Sequence, residues 1–479
     1  MSSENPANMS ASSSSSSSSP FSFQHPTFSG HIGVARRDIT PPVGIYARNW
    51  GAATHEVAEG IHRPLTATAL CIRSALDTQP LLLFSLDLGW WRTTPDEWAL
   101  RQALLETFNL DETRVLVHFT HTHSGPAVSQ SDADKPGGHL IASYLDLLRQ
   151  RVIEAGQHAI ANAQPATLDW AYGRCTLARN RDLVDPDQPS RMVCGWNPTQ
   201  PADDTLLIGR VCDTQGKPLA TLVNYACHPV TLAWQNKLIS PDFVGAMREV
   251  IEAHTDGALC LFLQGASGEL APAEQYTGDV DVADKNGRVL GFAALSVLAD
   301  MLPPRTALRY SGVMESGAPL ATWTRQTFMP ATTLRAICQP VDIALKHDLP
   351  TLADIQHQLS ASTDIFQQER LHRKIRVRQT VGNATHNSLK VWVWAIGDAI
   401  LIAQGNEAYS QLQMELRQRF TGQALIVMNL TNSPHAGYLP PTALYAKDIY
   451  QVWQSPFAAG CLETMIEHCD DLAHEVQTV

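Results

Sequence analysis

From residue 31 onward, short apolar runs alternate with stretches of helical spacing. Residues 31–35 enter as a strand and turn at Asp38-Ile39-Thr40-Pro41-Pro42. The near-continuous apolar runs 65–72 and 80–88 predict buried core strands. Helical spacing follows at 94–108, strand alternation at 114–121, and a long helix at 144–163 that is stopped by Pro165. Residues 206–212 and 218–226 predict a hairpin around Thr214-Gln215-Gly216. Next come a helix at 243–253, a buried strand at 259–263 and a helix at 286–301. Residues 340–375 are richer in charge and helical in period, which predicts a helical insertion. A second hairpin, 389–396 with 399–403, turns at Gly397-Asp398, and a helix at 408–420 and a strand at 424–429 follow. Strands and helices that alternate in this way predict an α/β fold, a multilayered domain with mixed β-sheets flanked by helices. Residues 1–28, with an unbroken serine run from Ser12 to Ser19, have too little apolar surface to offset their ordering entropy. They predict a disordered leader, with one domain over 29–479.

Composition narrows the function classes. The chain has 479 residues, 44% hydrophobic and 17% charged, and 35 Lys+Arg against 47 Asp+Glu give a net charge of −12. That balance argues against a broad footprint for nucleic acid or an anionic membrane, and leaves room for a local basic pocket. No stretch approaches the ~20 apolar residues of a membrane span. The run 289–299 is too short and is closed by Asp300, as in a buried helix. The first residues show neither a basic nor an apolar secretory region. Nine scattered cysteines with no Cys-x-x-Cys pair predict reduced thiols in the cytoplasm and argue against a thiolate zinc site.

Four segments could carry chemistry. In His121-Thr122-His123-Ser124-Gly125-Pro126, alternation through Val115, Val117 and Phe119 puts both histidines on one side of a strand that Pro126 ends. Two imidazoles exposed together at a sheet edge suit a borderline-soft dication, and equally suit a pair of hydrogen-bonded strand histidines. His118 falls on the opposite face and has a structural role. In Asn224-Tyr225-Ala226-Cys227-His228-Pro229 an apolar strand delivers His228 to its end, as a ligand or as a satisfied turn histidine. In Gln404-Gly405-Asn406-Glu407, the carboxylate of Glu407 is a metal ligand, a general base or a first-turn helix acid, and local pattern favours the last. The fourth is 432–440, Asn432-Ser433-Pro434-His435-Ala436-Gly437-Tyr438-Leu439-Pro440, with Tyr445 and Tyr450 behind it. The glycine-rich loop 264–272 after a buried strand lets backbone N–H groups approach an ion or substrate.

Taken in order, these segments resemble the catalytic domain of the neutral/alkaline (non-lysosomal) ceramidases. The likeness runs from about Gly33 to about Gln451. It rests on Gly33 with Asp38-Ile39-Thr40-Pro41, on Gly60-Ile61-His62, on the His121 to Pro126 run, on Cys227-His228-Pro229, and on Gly437-Tyr438-Leu439-Pro440 leading to Tyr450. The resemblance implies one zinc per chain held by His121, His228, Glu407 and Tyr438. It implies that His123 handles protons and that Tyr450 and Arg181 stabilise an oxyanion. It further implies hydrolysis of an N-acyl amide by water that zinc brings to a pKa of ~7.

Three departures from the family stand out. The pocket serine of the ceramidase loop is replaced by Ala271, within Gly268-Glu269-Leu270-Ala271-Pro272, and Ser267 is in a different register. From the sequence, neither the C-terminal β-sandwich nor the secretory signal of the family is expected. Together these lead to the expectation of a small soluble substrate met in the cytoplasm, with no nucleic-acid partner. An esterase or lactonase shares the same oxyanion and stays open. A non-catalytic zinc-binding relative is the alternative outside enzymes. A closed structural zinc site fits poorly, because no cysteine cluster is present.

Overall fold

The structure is a computed structural model, and it describes residues 21–478 apart from Asp77 and His435. The serine run lies outside the described residues. Eight strands form the larger sheet: β1 (Thr27–Asp38), β2 (Thr66–Arg73), β3 (Leu81–Leu86), β4 (Val115–Phe119), β5 (Gln164–Arg174), β6 (Thr205–Asp213), β7 (Pro218–Tyr225) and β8 (Leu259–Gln264). Their spatial order is β8-β7-β6-β5-β1-β2-β3-β4. The pairs β7/β8 and β3/β4 at the two edges are parallel and the rest antiparallel.

Pleating sends alternate residues to opposite faces. From β2, Ala67, Ala69 and Cys71 point one way, to helices α1 (Thr94–Phe108) and α2 (Ile141–Ala161). Helices α3 (Phe243–Ala253) and α4 (Val280–Asp300) cover the same face further along, over Ile208, Val223 and Phe262. Gly33 belongs to this packing: a Cβ there would sit 2.0 Å from the Ala159 carbonyl oxygen, so only glycine lets α2 cross β1 this closely.

Leu70 and Ile72 of β2 point the other way, to a second sheet. That sheet is β9 (Leu334–Ala344), β10 (His386–Ile396), β11 (Ala399–Gln404) and β12 (Ala424–Met428), in this order, with only β11/β12 parallel. Trp392, Trp394 and Leu401 pack on Leu83, Leu168 and Trp170 between the sheets. Helices α5 (Leu352–Ala361) and α6 (Ile365–Val381) lie between β9 and β10 in sequence. After β11 come α7 (Gln411–Arg419), α8 (Tyr450–Gln454) and α9 (Cys461–Thr478). Leu412 of α7 and Ile466 of α9 cover Val391, Val393 and Ile402 on the outer face of the second sheet. The result is four layers, helix–sheet–sheet–helix, as the alternating pattern predicts.

Both predicted hairpins form, with Gly216 (φ +85°) and Gly397 (φ +58°) in the left-handed conformation that their turns need. Several elements differ from expectation. Residues 340–344 are strand, because Val341 and Ile343 alternate into the core, and the helices behind them reach Val381. Residues 22–23 and 27–28 are strand although the leader was expected to reach residue 28, and Phe28 is wholly buried between the sheets. β5 carries the alternation Ala166, Leu168, Trp170 immediately past the predicted helix stop. The helix expected from 408 begins at Gln411. No described helix is long and apolar enough to cross a membrane.

One buried ion pair ties the larger sheet to α3. Arg248 donates from both Nη atoms to Asp87, at 2.8 and 2.6 Å, and Asp87 is fully buried after β3. Asp87 also accepts from the Thr66 N–H at 2.8 Å and from the Thr66 and Thr120 hydroxyls at 2.9 and 3.3 Å. These bonds join β2, β3 and the segment leaving β4, which is the segment that carries the site.

Candidate metal centre

β4 ends at Phe119 instead of running on to residue 121. The N–H groups of Thr120 and His121 still donate to Leu86 and Leu88, both at 2.9 Å, so the chain stays beside β3 while it turns. His121 then takes φ +75°, a conformation that costs a non-glycine residue of order 1–3 kcal/mol and is kept only where the surroundings impose it. This turn, more than the strand pleat, brings the His121 and His123 rings to 4.8 Å. Neither imidazole is displayed at an exposed sheet edge; His121 is buried under Trp90, which also packs on His123.

His228 follows β7, its N–H held by the Leu270 carbonyl at 2.9 Å. Glu407 lies in a two-residue strand, Glu407–Ala408, parallel to Tyr438–Leu439, with Glu407 opposite Tyr438. That pairing overrides the helical start favoured by local pattern. Gly405 makes it possible, since a Cβ there would lie 2.2 Å from the Ser433 Cβ. His435 of the same motif lies outside the described residues.

These elements converge. Among the described residues, His121, His228 and Glu407 form a buried trio whose ligand atoms lie within 4.8 Å of one another. Nε2 of His228 is 2.7 Å from Glu407 Oε2, and Nε2 of His121 is 3.4 Å from the same oxygen. The far side of each ring explains why. Nδ1 of His228 faces the Ser267 carbonyl at 2.7 Å, and Nδ1 of His121 faces the Gly89 carbonyl at 3.0 Å. A carbonyl only accepts, so each Nδ1 carries the hydrogen and each Nε2 presents a lone pair to the carboxylate. Burial, and after it the Arg181 charge, push the His228 pKa down to about 3, so a proton is a poor bridge between these acceptors. Two imidazole lone pairs and a carboxylate converging on one point, each ring fixed from behind, fit a divalent cation.

The other four residues singled out in the sequence surround the trio. Arg181, buried, donates from Nη2 to the Gly268 carbonyl at 2.8 Å and lies 3.3 Å from the Tyr438 hydroxyl and 3.2 Å from His228 Nε2. Burial, then Glu407, raise the Tyr438 phenol well above its ordinary pKa. His123 is held well below the ordinary histidine value by burial first and His121 next, and its Nε2 is buried with no hydrogen-bond partner. The Tyr450 ring packs edge-on against Tyr438, and its hydroxyl accepts from Arg373 Nη1 at 3.1 Å. His121, His123, Arg181, Glu407, Tyr438 and Tyr450 all line one cavity of about 380 Å³. His118 stays outside it as expected, accepting the Gln264 N–H on Nε2 at 2.8 Å. Ala271 is buried in a short strand against Arg179 and does not line the cavity. Tyr445 also points elsewhere, to the Phe457 carbonyl at 3.0 Å.

Sequence reasoning missed much of the wall. Trp50, Trp90, Trp91 and Trp234 make it largely indole, and Arg92, Arg373 and Arg376 add charge. The two helical arginines come from the 340–375 region and the residue just beyond it, where high charge density was the visible signal. The indoles come from loops with no periodicity to mark them.

A buried two-histidine, one-carboxylate cluster beside an aromatic-walled cavity, on a four-layer α/β frame, fits a metal-binding site. Residues 31–301 match the family model described as neutral/alkaline non-lysosomal ceramidase, N-terminal, and the chain belongs to that family. A neutral ceramidase of Pseudomonas aeruginosa is 24% identical over 284 residues, which are 54% of this chain and 40% of that relative, so the alignment spans under half of the relative's length. The fold is similar to that of a solved ceramidase in complex with C2 (TM-score 0.65, 16% identity, 95% of this chain and 76% of that one). It is also similar to the crystal structure of neutral ceramidase from Pseudomonas aeruginosa (TM-score 0.63, 17% identity, 95% and 75%). Glu407, Tyr438 and Tyr450 lie beyond the matched stretch, and the tertiary structure joins them to it.

Proposed function

We propose that the chain is a zinc-dependent hydrolase that cleaves an N-acyl amide bearing an apolar chain, the chemistry of ceramide. The observation that carries this is the buried His121, His228 and Glu407 trio, of which His121 and Glu407 line the tryptophan-walled cavity. The aromatic wall and the family together argue against the small soluble substrate expected from the sequence. Indole faces offer apolar area to a hydrocarbon chain and little to a small polar molecule.

His121, His228 and Glu407 would hold the zinc, with Tyr438 as the fourth group beside them. Zinc held there supplies Lewis acidity and a water acidic enough to react near pH 7. The residues of the chain do the rest. His123 takes a proton and returns it to the departing amine, a role for which its buried, unpartnered Nε2 is placed. Arg181 is anchored to Gly268 and turned toward His228 and Tyr438, where it balances negative charge on the reacting carbonyl oxygen. Tyr450 is held by Arg373 at the same wall and offers a second hydroxyl there. Indole faces exclude water and seat the chain.

Zinc content and turnover test this. Purified protein should hold close to one zinc per chain and cleave long-chain N-acyl amines, ceramide among them. Lactone cleavage without amide turnover would overturn the amide assignment. His123→Ala should keep its zinc and lose roughly a hundredfold or more in turnover; unchanged turnover would remove its acid–base role. Arg181→Met should lose roughly a hundredfold in kcat on the same amide, the usual cost of one oxyanion donor. An effect confined to KM would make Arg181 a binding group only.

A further inference from the structure

Helix α6 carries Arg370, Arg373, Lys374, Arg376 and Arg378 against a single Glu369, in a chain whose net charge is −12. It lies outside the residues matched to the family, yet Arg373 and Arg376 line the same cavity as His121 and Glu407. Their partners differ. Arg92, which also lines the cavity, is engaged by Asp132 at 2.6 Å and by Asn49 at 2.8 Å. Arg373 is engaged by Glu369 at 2.9 Å and by the Tyr450 hydroxyl at 3.1 Å. Arg376 has no hydrogen bond or ion pair to a carboxylate among the described residues, and only longer-range charges act on its guanidinium. Burial, and then the like charge of Arg92, hold its pKa down to about 10, so it still carries its charge at neutral pH in a place that disfavours it.

A half-buried guanidinium without a partner is costly, and an incoming anion recovers that cost. The planar fork of arginine suits the paired oxygens of a carboxylate or phosphate. Ceramide offers no such group.

We propose that Arg376 is a specificity-determining residue that receives an anionic substituent, a carboxylate or a phosphate, on the substrate, Arg92 and Arg373 being already engaged by Asp132 and Glu369. The substrate class is then an anionic N-acyl amide: an apolar chain for the indoles, an amide for the metal centre, and an anion for Arg376. This rests on the hydrolase assignment for the amide, but not for the anion, which binding alone reports.

The test is a calorimetric titration of zinc-loaded protein with N-acyl ligands of one chain length. N-acylglycine places a carboxylate on the amine side, a monoamide of a long dicarboxylic acid places it on the acyl side, and N-acylphosphoethanolamine carries a phosphate. N-acylethanolamine is the neutral reference. At least one anionic ligand should bind about tenfold or more tightly than the reference, the scale of one charge-assisted pair. That ratio should fall to within about twofold of unity in Arg376→Met and be partly kept in Arg376→Lys, which retains the charge without the fork. Equal binding of all four ligands by the wild-type protein would overturn the proposal, whatever the variants do. A preference that survives Arg376→Met would also overturn it, by placing the anion on the metal. Anion preference without cleavage of any amide would support the role of Arg376 and remove the hydrolase assignment.

Discussion

His228→Ala should empty the metal centre and lower turnover by roughly a thousandfold or more, the several kcal/mol that a Lewis acid contributes to such a transition state. The trio is His121, His228 and Glu407, so removing one imidazole leaves a single nitrogen, a carboxylate and the Tyr438 phenol, too few strong donors for tight binding. The rings are fixed from behind by the Ser267 and Gly89 carbonyls, and no other histidine among the described residues reaches the vacated position except His123, whose ring centre is 6.2 Å from that of His228. His121→Ala should behave in the same way. Metal analysis after dialysis, set beside turnover on the same samples, is the measurement. Full occupancy in both variants would show that the ion sits elsewhere.

Asp87→Ala should destabilise the fold by roughly 3–5 kcal/mol, because it strands a buried guanidinium. Arg248 spends both Nη groups on Asp87, and the Thr66 N–H and two hydroxyls lose their acceptor as well. Denaturant titration of both proteins measures the loss. The double variant Asp87→Leu with Arg248→Met should recover part of it, since replacing both charges removes the stranded one. A loss under about 1 kcal/mol would mean that Arg248 finds solvent, contrary to its burial. The effect should reach the site. Asp87 sits one residue before Leu88, whose carbonyl holds the His121 N–H, so Asp87→Ala should also weaken metal retention at temperatures where the protein is still folded.

Where the chain announced its elements, a core face did the announcing. The buried runs of β2, β3 and β8 and the two glycine-turned hairpins were legible because period and turn chemistry are local properties. The strand β5 is equally legible in Ala166, Leu168 and Trp170, directly past Pro165, whose helix-stopping chemistry dominates the local pattern. The end of strand β9 was hidden because exposed Asp342 runs into the charge of α5 and α6 behind it. At the site, order along the chain and family likeness point to seven residues that the fold brings near one another, while the indoles and helical arginines of the wall carry no such signal. Local pattern misjudged two of the seven. Glu407 looked like a helix acid because its partner strand at Tyr438 is 31 residues away in sequence. His121 looked like an exposed strand residue because nothing local signals φ +75°.

By itself, then, the sequence determined the layered α/β class, the hairpins, and the identity of the groups able to hold a cation. These depend on hydrophobic period and on side-chain chemistry, which each residue carries with it. Only the tertiary structure decided which lone pairs face which. Packing of β3, β7 and the Glu407–Tyr438 pairing sets three ligand atoms around one point. It also decided the character of the cavity, because indoles from separate loops and arginines from a helix late in the chain meet there only when the two sheets are stacked. That meeting makes the cavity apolar on its walls and positive toward α6, a property that no segment of the chain possesses alone.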